Sequence, residues 1–116
     1  MSPIKFIRDG SRTFEPLAEA PAIRIARDVG VAESDTMACN IVTFEDCEHE
    51  WTVLYDEYIY GLDGTLLLET KEGDFEINPG DGIWLPKGTF MIYRAAWAST
   101  FIAVYPANWR KLEGFE

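Results

Sequence analysis

The 116-residue chain predicts an all-β fold, a small closed barrel or sandwich of about eight strands. Three observations carry that expectation. Short runs rich in β-branched and aromatic residues recur along the length, and Gly, Pro, Asp and Asn bound them. No segment sustains a helical apolar period.

In chain order the strand runs are IKFIRD (4–9), AIRIARDVG (22–30), ACNIVTFE (38–45), YIYGL (58–62), TLLLET (65–70), DFEIN (74–78), GIWLP (82–86), FMIYRA (90–95) and TFIAVYP (100–106). KEGD (71–74) reads as a tight hairpin turn, and NPGDG (78–82) and PKG (86–88) as two more. Glycine accepts positive φ in such turns and proline fixes its own. The acidic stretch EDCEHE (45–50) reads as a solvated connection. PANWRKLEGFE (106–116) allows one weak helical turn, and GSRTFEPLAEAP (10–21) suits an arm laid over the barrel mouth or over a neighbouring subunit. The length suits a single domain over 1–116, with N-terminal strands and arm in 1–33 and the core in 34–110. The runs at 4–9 and 22–30 lack enough partners within one barrel, so a homodimer contacting through residues 1–30 is expected.

Ten basic residues against twenty acidic ones give a net charge of −10. Such a surface repels phosphate backbones and anionic lipid, which argues against nucleic-acid and membrane partners. No apolar run approaches the ~20 residues of a membrane span. The opening MSPIKFIRDG lacks a signal-peptide pattern, so a cytoplasmic location is expected. Cys39 and Cys47 fit neither a CxxC pair nor a zinc knuckle and read as reduced, buried thiols.

Two passages carry a more specific pattern. In WTVLYDEYIYGLDG (51–64) Glu57 stands seven residues ahead of Gly64. In GDGIWLPKG (80–88) Gly80, Pro86 and Gly88 follow the order glycine, five residues, proline, any residue, glycine. Together they resemble the two motifs of the cupin family. WTVLYDE (51–57), WLPKGT (84–89) and YPANW (105–109) are more closely similar to the ethanolamine-utilization (EutQ-like) cupins and the ureidoglycolate/ureidoglycine-type group, over about residues 34–110. The resemblance implies a jelly-roll-like barrel. In metal-binding cupins it also implies two histidines before the acid and a third after the second motif. Those slots fall here on Glu50 and Thr52, or on Trp51 and Val53, and on Met91. A carboxylate and a thioether make a poor donor set for a first-row metal, so no metal and no cofactor are expected. Acyl-phosphate (acetate kinase-like) activity is attributed to the EutQ-like family, but this chain has no GxxxxGK[ST] phosphate loop.

The resemblance points Glu57 into the barrel, where burial raises a carboxyl pKa and fits it for acid–base work. The alternative for Glu57 is a hydrogen-bonding role towards turn amides. Tyr55, two residues earlier, is placed with it as a catalytic candidate. Glu50, Thr52, Met91 and Tyr93 are the candidate ligand-binding residues. His49 reads as a solvated loop histidine unless a bulge turns it inward. Trp51, Trp84 and Trp97 read as core or rim. The function expected is binding of a small polar metabolite inside the barrel. The alternatives are a small-molecule enzyme, with Glu57 as acid/base or with the acyl-phosphate chemistry attributed to the family, and a non-catalytic sensor or assembly module.

Overall fold

The computed structural model describes residues 4–114. Along the chain lie β1 (Glu15–Pro16), β2 (Ile23–Val29), β3 (Ala38–Thr52), β4 (Asp56–Gly64), β5 (Leu66–Thr70), β6 (Gly73–Ile77), β7 (Gly82–Leu85), β8 (Phe90–Tyr105) and the single-turn helix α1 (Trp109–Leu112). The fold is all-β, as the strand runs predict, with three differences. Residues 4–8 are not a strand but lead into a 3-10 turn at Asp9–Ser11. The acidic stretch 45–50 is not a connection: β3 continues through it. The runs at 90–95 and 100–106 are one strand, β8.

The long strands β3 and β8 pair antiparallel over their whole lengths, from Ala38↔Val104 to Thr52↔Phe90. The second edge of β8 is shared. Its Ala98–Tyr105 half pairs with β4, and its Met91–Arg94 segment pairs with β5. The ladder runs β1-β2-β3-β8-β4-β7, with β5 and β6 branching from β8. This path does not close on itself. The arrangement is therefore one jelly-roll-like antiparallel sheet of eight strands, as expected except that its ladder is open rather than closed.

The ribbon of β3 and β8 turns over a corner of the sheet, its two strands changing faces in step. Ala38, Asn40, Val42 and Phe44 are buried on β3, and then Cys47, with Trp51 inward and Val53 buried beyond. On β8 the buried set passes from Met91 and Tyr93 to Ala98, Thr100, Ile102 and Val104. A regular strand alternates strictly, so each strand has one break in alternation. Both breaks lie between the pairs Glu45↔Trp97 and Cys47↔Ala95. Asp46, at the break in β3, has a φ of 46°, a left-handed conformation that Asp tolerates better than most side chains.

The motif glycine Gly64 braces the same corner. Its φ is +68°, and a Cβ there would collide with the Trp97 carbonyl. The next residue's N–H, on Thr65, donates to that carbonyl at 3.1 Å, and the Trp97 indole N–H donates to Asp63 at 3.0 Å. The PKG turn docks where β3 ends: Gly88 N–H donates to the Val53 carbonyl at 2.8 Å, and Val53 N–H to Thr89 at 3.0 Å. Phe44, Val53, Ile59, Leu66, Leu68 and Met91 are fully buried in the core that the sheet folds around. Among the described residues, no helix is long and apolar enough to cross a membrane.

Candidate functional site

The inner face of the ribbon and the flanking strands enclose a cavity of about 250 Å³. β4 presents Glu57 to it, paired in the ladder with Val104 and Leu85 and only 2% exposed. β8 supplies Tyr93, and the Tyr93 hydroxyl donates to both carboxylate oxygens of Glu57, at 3.3 Å each. Burial pushes the Glu57 carboxyl up to about 7, and the Tyr93 hydrogen bond pulls weakly the other way. The Tyr93 phenol is raised well above its ordinary value, first by burial and then by the adjacent Glu57 charge. Tyr55 is half-buried on the wall and is raised for the same two reasons. Glu57 is thus poised to change charge near neutrality, while the phenols stay protonated donors.

The face change at Asp46 decides which residues of 49–52 join this site. His49 and Trp51 line the cavity. Glu50 and Thr52, expected as ligand-binding residues, are exposed on the opposite face of β3. Met91 is fully buried in the packed core and does not reach the cavity wall. Nor is His49 a solvated loop histidine: its imidazole stacks on Trp51 at 6.2 Å and lies parallel to Tyr93 at 6.5 Å.

Sequence reasoning also missed Trp109. The α1 turn carries it back onto the cavity, where its ring meets Tyr55 at 4.8 Å and Trp51 at 6.5 Å. The signal available was the aromatic residue closing YPANW, a place where a solvated tail needs none. The segment 10–21 does behave as an arm: β1 pairs with β2, and Leu17 and Glu19 form part of the cavity wall. Arg12 fixes this arm through a two-pronged ion pair with Asp28, at 2.9 and 2.8 Å.

The metal that many cupins hold does not fit the donors here. Glu57 has a phenol as its neighbour, and the remaining histidine slots carry Trp51, Val53 and Met91. Among the described residues, no three His, Cys, Asp or Glu side chains converge as a metal would require.

Against known proteins, the model of the family "Ethanolamine utilisation protein EutQ" matches residues 5–111, nearly the whole chain. The chain belongs to the EutQ family. Among curated relatives, the "Acetate kinase EutQ" of Clostridioides difficile is 32% identical over 78 residues, covering 66% of this chain and 50% of its own length. The Escherichia coli protein of the same description is 28% identical over 81 residues, covering 69% of this chain and 35% of its own. This chain therefore spans half or less of these two EutQ proteins. In structure, a putative ethanolamine utilization protein Q from Salmonella typhimurium superposes with a TM-score of 0.83 at 21% identity, over 90% of this chain and 88% of that one. A Shewanella frigidimarina cupin superposes at 0.74 with 10% identity, over 88% and 90%. These two likenesses carry the fold alone, and that fold is the cupin fold.

Proposed function

We propose that this EutQ-family cupin binds a small polar metabolite in its cavity, with Glu57 as the group that gives or takes a proton. One observation carries the reading: a carboxyl almost wholly out of water, on the wall of a cavity, hydrogen-bonded by a phenol and balanced near neutrality. Tyr93 is its donor partner, Tyr55 stands on the same wall, and His49 and Trp51 take the places first given to Glu50 and Thr52. A cavity of about 250 Å³ lies below the ~300–1,000 Å³ typical of drug-sized ligands and suits a small metabolite. The kinase activity in the relatives' names is not carried over to this chain, which spans half or less of those proteins. The family context supports a place in ethanolamine or amine catabolism, with the chain acting as one cytoplasmic domain and as a homodimer.

Thermal-shift screening of the parent and of Glu57→Gln against small amines, amides, ureido compounds and carboxylates tests the site. At least one class should raise the parent's melting temperature and leave the variant's unchanged. Equal responses in both proteins would move the site away from Glu57.

A further inference from the structure

The charge class of the ligand can be read from what surrounds Glu57 and from what does not. An ionised carboxylate accepts up to about four hydrogen bonds, and a good O–H···O contact spans about 2.5–3.0 Å. Glu57 receives a single phenol shared between its two oxygens, both contacts at 3.3 Å. Among the described residues no ion pair reaches it: of the two arginines on the cavity wall, Arg27 pairs with Glu15 at 3.5 Å, and Arg110 lies over the Trp109 ring at 4.8 Å and acts on Tyr55. A buried carboxylate so thinly supplied is stable in its charged form once a cation with hydrogens to donate sits beside it.

The rest of the wall suits the same guest. From Phe44 the rings run in mutual contact through Tyr93, His49, Trp51 and Trp109 to Tyr55, and each of them lines the cavity. Electron-rich rings of Trp and Tyr attract an organic cation within about 6 Å, and they do so more strongly where water is excluded. An anion placed beside Glu57 would meet neither feature favourably, since its charge would face the carboxylate directly, away from Arg27 and Arg110.

Resting on the cavity-binding reading above, we propose that the ligand is a small primary ammonium compound, its nitrogen on Glu57 and Tyr93 and its carbon chain among Trp51, Tyr55 and Trp109. The ring contacts and the carboxylate then act together: the rings hold the cation and its stem, and Glu57 takes two of its N–H groups.

Three probes of equal length and different charge decide it: n-butylammonium, n-butanol and butyrate, titrated calorimetrically into the whole protein at neutral pH and constant ionic strength. The ammonium should bind about tenfold more tightly than the alcohol, and butyrate more weakly than either. Glu57→Gln should reduce the ammonium's advantage to about twofold or less, and Trp51→Leu should weaken the ammonium more than the alcohol. Where a variant's thermal melt shows that it has not folded, the parent's ranking of the three probes decides alone. Butanol or butyrate binding as tightly as the ammonium overturns the proposal while leaving a ligand cavity in place. If none of the three binds at millimolar concentration, both the ammonium proposal and the cavity-binding reading fall.

Discussion

Glu57 carries an ionisable group to a place almost wholly shielded from bulk water, and the cost of doing so depends on pH. Its folded value of about 7 lies above the ordinary 4.5, so the folded protein holds this proton more tightly than the unfolded chain. Below about 4.5 both states are protonated and the group is neutral to stability. As pH rises to 7 the unfolded chain gives up its proton first, stability falls, and above 7 the full penalty is present. The gap corresponds to roughly 3 kcal/mol at most. Glu57→Gln keeps the shape and can still accept from Tyr93. It should match the parent at pH 4.5 and exceed it by about 1–3 kcal/mol at pH 8 in urea denaturation. A variant clearly less stable at pH 8 would mean that Glu57 is an ionised structural acceptor with a cationic partner. Glu57, Tyr55 and Tyr93 were open to sequence reasoning because strand alternation and the cupin spacing place them. His49 was not, because an imidazole within EDCEHE has the composition of a solvated loop, and composition does not record a change of face.

At the scale of elements, the ribbon of β3 and β8 shows why that reading failed. Each run by itself has a clear strand signature, and most strands other than 4–9 lie close to where the sequence puts them. Local patterning does not reveal that two strands separated by half the chain break alternation opposite each other, between Glu45↔Trp97 and Cys47↔Ala95. The match has a consequence for chain length. Removing Asp46 alone, or Ala96 alone, leaves one strand a residue short of its partner and forces half of the ribbon out of register. Removing both restores the count, with Cys47↔Ala95 following Glu45↔Trp97 directly and the inward set unchanged. Each single deletion should therefore destabilise more than the double deletion, judged by urea midpoints. A double deletion as damaging as the sum of the singles would show that the corner residues matter for themselves and not for their number.

At the scale of the molecule, the sheet ends in edges rather than closing. Strand count and spacing do not tell whether a ladder returns to its start. β1 pairs with β2 only at Arg24 and Ile25, and Leu17 and Lys5 reach the Ile23 and Asp28 carbonyls, so β2 lacks a full-length strand neighbour on this side. Nearby, the arm carries Ile4 and Phe6, 82% and 76% exposed. The dimer proposed above would cover both. Light scattering should give about twice 13.2 kDa at micromolar concentration, and deletion of residues 1–14 should weaken the association. A monomeric mass, or a dimer indifferent to the deletion, would overturn it.

The placement of the four tryptophans also gives the protein two optical populations. Trp51 and Trp109 meet across 6.5 Å at the cavity wall, whereas Trp84 and Trp97, 59% and 43% exposed, face outward. A neutral quencher such as acrylamide reaches the outer pair first, while iodide is held off by the surplus of negative charge. Emission that survives acrylamide therefore comes from the inner pair, and a molecule entering the cavity reports its own arrival there without a label.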